Sequence, residues 1–155
     1  MTIQVFFTKS PDNAATPTSL PIKSTAGAAG YDLAACLAQP IVLQPNDFKA
    51  VPTGWRIALP QGYEAQVRSR SGLAAKNGVF VLNSPGTVDE DYRGEIFVIL
   101  KNAGPTPFVV EHGMRIGQRV IQAVIPSTMV ELSANDFAVL DNTVRGSKGH
   151  GSTGV

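Results

Sequence analysis

Apolar residues along this chain come in short bursts, and glycine or proline closes most of them. Ile3 to Phe7 is β-branched and aromatic and predicts a first strand. Pro17, with Pro11 and Pro21 on either side, makes Asn13 to Leu20 a loop. Tyr31 to Ala35 predicts a strand after the Gly27-Ala28-Ala29-Gly30 turn, and Ile41 to Leu43 another, stopped by Pro45-Asn46-Asp47. Gly54 to Leu59 and Tyr63 to Arg68 flank Pro60-Gln61-Gly62, a hairpin signal. Ile96 to Leu100 is apolar at every position, the pattern of a strand buried on both faces. Arg115 to Ile125 places Ile116, Val120 and Val124 on one strand face together with Gln118 and Gln122. Polar groups on such a face need partners, from a ligand or from another subunit. One short helix is expected, capped by Ser71, running from Gly72 to Lys76 and ended by Asn77-Gly78. Everything else reads as β, so the domain is expected to be an all-β sandwich or jelly roll.

Composition narrows the partners. The 155 residues fit one domain. Thirteen basic and 12 acidic residues leave a net charge of +1, which argues against nucleic acid or membrane as the main partner. Charged residues are 16% of the chain, below the roughly one quarter of an ordinary soluble domain, and 43% are apolar. That balance hints at surface covered by other subunits. Cys36 stands alone, so no internal disulfide forms; a small buried apolar role is expected of it, in a reducing compartment. The start of the chain lacks a signal-peptide pattern, and the cytoplasm is the expected location.

Several segments carry chemistry. Arg70 and Ser71 open the expected helix, where free N–H groups and a partial positive charge favour an anion; they also read as an ordinary helix start with a surface arginine. The run 83–94 is rich in turns and is expected to form a hairpin. Within it Asn83 offers a donor and an acceptor, as a pyrimidine edge requires. Asp89 can take a proton from water beside a polyphosphate, and Tyr92 can pack on a sugar or base, although the same acidic cluster also reads as a solvated turn. Asp32 sits on an early strand between apolar neighbours, where a structural hydrogen bond is the commoner role. Residues 142–155 hold four glycines and almost nothing apolar after Val144, and cannot build a core. They read either as a frayed end or as an arm that orders over a ligand. Arg145 supplies an anion fork, Ser152 and Thr153 supply hydroxyls, and His150 lies between glycines with its ring free to cover something flat. Neither a zinc spacing nor a Walker-type loop occurs.

Taken in order, five segments resemble the five motifs of trimeric dUTP pyrophosphatases: AGYDLAA at 29–35, RSGLAAK at 70–76, NSPGTVDEDYRGE at 83–95, RIGQ at 115–118 and RGSKGHGSTG at 145–154. The resemblance implies a jelly-roll-like β-barrel (β-clip) in a homotrimer. It implies sites at subunit interfaces, a catalytic domain over 1–141 and a glycine-rich arm over 142–155 that closes the site. It also implies hydrolysis of dUTP to dUMP and pyrophosphate with Mg²⁺. By position, Asp89 matches the aspartate that activates water, and Asp32 the aspartate near the metal's hydration shell. Arg70, Ser71, Gly72 and Gln118 match phosphate contacts. Asn83 and the backbone of Gly86, Thr87 and Val88 match the segment that reads uracil, with Phe97 making a further contact to the base. Tyr92 matches the residue that packs on deoxyribose and excludes a 2′-hydroxyl. Arg145, His150, Gly151 and Ser152 fall in the arm. Two positions depart from the family's usual pattern: His150 stands where phenylalanine is most frequent, and Lys148 where glycine is common. The alternatives are a dCTP deaminase of the same fold, which uses a glutamate as base, and a non-catalytic binding module or regulator.

Overall fold

The structure is a computed structural model and describes residues 2–149. The strands, in chain order, are β1 (Phe6–Lys9), β2 (Tyr31–Ala34), β3 (Ile41–Leu43), β4 (Phe48–Ala58), β5 (Tyr63–Arg68), β6 (Val79–Val81), β7 (Gly86–Val88), β8 (Glu95–Asn102), β9 (Phe108–Val110) and β10 (Arg115–Ala123). Two short helices, α1 (Ser71–Asn77) and α2 (Ala134–Ala138), complete the list. Every strand pairing is antiparallel. One sheet runs β1-β4-β8-β6, a second runs β2-β10-β5-β7, and β3 pairs with β9. The all-β jelly-roll expectation is met.

The chain divides into two compact units, residues 1–125 and 126–155. The first holds the core, in which Leu33, Val51, Val67, Val98 and Ile116 belong to one buried cluster drawn from both four-stranded sheets. Burying each such side chain contributes roughly 1.5–3 kcal/mol. Asn102, fully buried at the end of β8, has its polar atoms satisfied: its amide donates to the carbonyls of Leu43 and Thr106, and its oxygen accepts from Gly104 N–H. The second unit contains α2, for which Ser133 is the cap; its Oγ accepts from the Asp136 N–H at 3.2 Å.

Several expectations need correction. The first strand lies at Phe6–Lys9 rather than 3–7, because the edge of β4 pairs Phe6 with Ala58 and Lys9 with Trp55. β4 begins six residues before the expected Gly54 and runs through Pro52 and Gly54. The register shifts between Pro52 and Arg56, which is how a strand tolerates a residue without an N–H. Gly54 has φ 73°, and a Cβ there would meet Cys36 Sγ at 2.7 Å. Cys36 is buried as expected, and burial, then the charge of Glu95, pushes its thiol pKa up. β6, β9 and α2 were not among the expected elements. The helix α1 is entered from Arg70 in extended conformation, with no side chain capping it; Ser71 is its first residue instead of its cap. Gly78 ends it as expected, in the left-handed conformation at φ 67°. Finally, 83–94 is no hairpin: β7 pairs with β5 in the second sheet, whereas β8 pairs with β4 and β6 in the first. The segment therefore bridges the two sheets.

Candidate active site

The register of the second sheet aligns three of the singled-out segments. On β10, Gln118 lies opposite Asp32 of β2 on one side and Arg68 of β5 on the other. Partners in register project to the same face, so the two sequence-distant polar residues come together with the end of β5. Arg70 lies just beyond that end. Its Nε donates to Asp32 Oδ1 at 3.2 Å and its Nη1 to the Arg115 carbonyl at 3.1 Å. Arg115 Nη1 and Ser24 Oγ both donate to Asp32 Oδ2, at 3.1 and 3.0 Å. Asp32 thus fixes two guanidinium groups, and Arg70 Nη2 makes no hydrogen bond among the described residues. Gln118 finds its partner in the Ser69 carbonyl, to which Nε2 donates at 3.1 Å. Gly30 makes room for it, since a Cβ there would lie 2.7 Å from Gln118 Oε1. Val124, expected on the same face, is past the end of the strand and half exposed, and Gln122 faces solvent.

At the start of α1 the N–H groups of Leu73 and Ala74 already bond to the Arg70 carbonyl. Those of Ser71 and Gly72 have no acceptor among the described residues, and both residues are exposed. A Cβ added at Gly72 would meet nothing within 4 Å.

The second group lines a cleft of about 400 Å³. Asn83, Gly86, Thr87, Val88, Asp89, Tyr92 and Phe97 all line it. The Asn83 amide would sit 3.0 Å from a Cβ on Gly86, so a glycine there lets the side chain close on the strand. Asp89 directly follows β7, exposed. Its carbonyl accepts from the Tyr92 N–H, turning the chain so that the phenol folds back. Tyr92 Oη donates to the Glu95 carbonyl at 2.8 Å and the ring lies over Gly94. The floor comes from β8. Its inner face, Ile96, Val98, Leu100 and Asn102, is buried in the core, but Phe97 is 46% exposed and Ile99 half buried. The doubly apolar run is therefore core on one face and cleft wall on the other, a correction to the deep-core reading. Glu95, not singled out in the sequence, stiffens this rim: its Oε1 accepts from Asn13 Nδ2 at 2.9 Å and from Gly54 N–H at 2.7 Å.

The structure thus separates the singled-out residues. None of Asp32, Arg70, Ser71, Gly72 and Gln118 lines the cleft that holds Asn83, Asp89 and Tyr92. Arg145 belongs to the second unit, exposed, with Nε donating to the Lys148 carbonyl at 3.3 Å. His150, Gly151 and Ser152 lie outside the described residues. Sequence reading missed the Asp32–Arg115 pair (3.1 Å), although Arg115 stands in the RIGQ segment next to the residues that were noticed. Among the described residues no group of three or more His, Cys, Asp or Glu side chains gathers to hold a metal, and no helix is long and apolar enough to cross a membrane.

An apolar cleft with a carboxylate at its rim and, apart from it on the same chain, a cluster of guanidinium and free N–H groups have the chemistry of a nucleotide hydrolase. Comparison with known proteins makes this specific. The chain belongs to the dUTPase family, whose model matches residues 16–154. A Rickettsia bellii protein named deoxyuridine 5′-triphosphate nucleotidohydrolase is 53% identical over 136 residues, covering 88% of this chain and 87% of the relative. A protein of that name from Roseobacter denitrificans is 49% identical over 144 residues, covering 92% and 91%. In fold, the chain is similar to a mutant Staphylococcus bacteriophage 80alpha dUTPase with dUpNHpp. The TM-score is 0.82 at 23% identity, over 99% of this chain and 100% of the other. It is also similar to a mutant dUTPase from phage phi11 of S. aureus described with a structural Mg(II) ion. There the TM-score is 0.71 at 19% identity, over 83% and 96%.

Proposed function

We propose that the protein hydrolyses dUTP to dUMP and pyrophosphate as a homotrimer, at sites completed by more than one subunit. The observation that carries the shared site is the separation on one chain: the cleft for a nucleoside and the cluster for phosphates occupy different places. A neighbouring copy would bring its cluster to this cleft. In the cleft, Asn83 and the backbone of Gly86, Thr87 and Val88 read the uracil edge, with Phe97 beside the base. Cytosine presents the reversed donor pattern and would leave buried groups unpaired, a large penalty. Tyr92, held by its hydrogen bond to Glu95, packs on deoxyribose.

Arg70, the N–H groups of Ser71 and Gly72, and Gln118 hold the phosphates, and the arm residues Arg145, His150, Gly151 and Ser152 close over the nucleotide. Asp89 takes a proton from water as the water oxygen bonds to the α-phosphorus. The bond from that phosphorus to the bridging oxygen breaks, and its electron pair leaves with pyrophosphate. The donor set fits Mg²⁺ carried in by the triphosphate rather than a resident ion, because the carboxylate of Asp32 is already engaged by Arg70, Arg115 and Ser24. Asp32 would meet such an ion only through water; when bound, Mg²⁺ neutralises phosphate charge. In the cell the reaction would keep uracil out of DNA and supply dUMP for dTMP synthesis.

The test is to offer dUTP, dTTP, dCTP and UTP separately with Mg²⁺, and dUTP with a chelator. Only dUTP is expected to yield monophosphate and pyrophosphate, and chelation is expected to stop it. Ammonia from dCTP would favour the deaminase. Thermal stabilisation by dUTP without turnover would favour a binding regulator.

Sugar selection has its own test. A Cβ on Gly94 would lie 2.4 Å from Tyr92 Oη and 2.6 Å from Cζ, so Gly94→Ala must displace the ring. The expected result is a KM for dUTP raised about tenfold, roughly 1.4 kcal/mol, and a smaller ratio of kcat/KM for dUTP over UTP. An unchanged ratio would remove Tyr92 from sugar recognition.

A further inference from the structure

At the start of β8 the ladder to β4 is broken. Phe97 pairs with Pro52 and Glu95 with Arg56, so residues 53–55 of β4 face Ile96 alone. A bulge of this kind leaves backbone groups in need of other partners. Side chains supply them. Thr53 Oγ1 donates to the Ile96 carbonyl at 2.8 Å, and Glu95 Oε1 accepts from the Gly54 N–H at 2.7 Å. The carbonyl of the same Glu95 accepts from Tyr92 Oη at 2.8 Å. Glu95 is half-buried and makes no ion pair among the described residues, so N–H donors alone answer its charge. One of them is Asn13, 82 positions earlier, whose Nδ2 donates to Glu95 Oε1 at 2.9 Å. Nδ2 also reaches the Cys36 carbonyl at 3.3 Å, and Oδ1 accepts from the Ala15 N–H at 2.9 Å. Both ends of the Asn13 amide are therefore committed, and the bond from Ala15 fixes which end faces Glu95. Asn13 does not line the cleft, and it precedes residues 16–154 that the family model matches.

We propose that Asn13 is a specificity-determining residue that acts from outside the cleft: through Glu95 it sets where the Tyr92 ring stands, and so how strictly a 2′-hydroxyl is refused. This inference rests on the reading of Tyr92 given above. The route is short and continuous, from the Asn13 amide to the Glu95 carboxylate, and from the Glu95 carbonyl to the Tyr92 phenol. With the ladder broken at this point, the Glu95 side chain ties the first residue of β8 to the bulge of β4, and Asn13 holds that side chain in place. A shift of Glu95 moves the point to which Tyr92 Oη is fastened. A ring refuses a hydroxyl by contact alone, and contact is forfeited over a gap of roughly 0.5–1 Å. Asn13 is thus a positioning residue for the sugar end of the cleft.

The experiment compares kcat/KM of the full chain for dUTP and for UTP, both with Mg²⁺. Their ratio does not depend on how much of a variant is folded, because both substrates meet the same enzyme. Asn13→Ala removes the donor and is expected to lower the ratio about fivefold, the worth of one hydrogen bond. Asn13→Asp sets a second carboxylate against Glu95 and is expected to lower it further. Adding Glu95→Gln to Asn13→Asp is expected to recover most of the ratio, because the new amide can still accept from the Gly54 N–H and can donate across the pair. An unchanged ratio in Asn13→Ala would overturn the inference. So would dUTP and UTP turnover lowered by one common factor, the mark of a purely structural role. A lowered ratio with no recovery in the double variant would overturn the route through Glu95, and the inference with it. A wild type that leaves dUTP intact, or takes UTP equally well, would overturn the proposed function itself.

Discussion

Asp89→Asn should reduce kcat by about 100- to 10,000-fold with little change in KM, the loss typical of removing a general base. Asparagine keeps the shape of the side chain but cannot take the proton from water. The structure gives no reason for the fold to suffer: Asp89 is exposed, just past the end of β7, and its side chain makes no hydrogen bond or ion pair among the described residues. Only its carbonyl is used, by the Tyr92 N–H, and the substitution leaves that untouched. Two measurements therefore have to agree. Steady-state turnover should collapse, while affinity for a non-hydrolysable dUTP analogue and the melting temperature stay near wild type. Turnover within a few-fold of wild type would sink Asp89 as the base. Weakened analogue binding in step with turnover would reassign it to holding substrate.

Ending the chain after Val144 is the second large effect. It removes Arg145 together with His150, Gly151 and Ser152. Loss of charge-stabilising and closing groups of this kind costs on the order of 100- to 1,000-fold in kcat. The core of residues 1–125 is self-contained, with its buried cluster drawn from the paired sheets, so the truncated protein should fold and melt like the full chain in the absence of nucleotide. Sedimentation and melting curves establish the fold, and turnover reads the arm. Full activity in the shortened protein would sink the arm's role.

How far the sequence carries depends on the range of the interaction that decides each element. β3 and β5 fall at their expected bounds because local features specify them, Ile41-Val42 and the Pro45-Asn46-Asp47 stop for β3 and the Pro60-Gln61-Gly62 turn for β5. Pro52 and Gly54 mislead because breakers stop most strands; here a bulge lets β4 continue, and a bulge is set by the partner strand β8. Ser71 and Arg70 differ by one position, and the choice between them is made where β5 hands over to the helix. The three-residue strands β6 and β9 are too short to show a period. The α2 helix did leave a signal, Ser133 with Asp136 three residues on.

The site residues were legible as motifs, whereas their grouping was not. That Gln118 meets Asp32 depends on a register across β10 and β2, and that Arg115 shares Asp32 with Arg70 depends on the same pairing. The face of β8 that carries Phe97 could not be told from a core face, because both are apolar. Nor does a lone arginine in an alternating strand announce that it is buried, as Arg119 is at 2% exposure.

Gly72 and Gly94 invite opposite kinds of scrutiny. A side chain at Gly94 runs into Tyr92 within the chain itself, whereas one at Gly72 extends into open space. Selection for solubility, expression or heat resistance would therefore tolerate almost any small residue at 72. If a glycine is required there, the demand comes from what binds above the helix start and not from the chain's own packing. Libraries ranked by stability would be blind to that demand, and only a screen for turnover would register it.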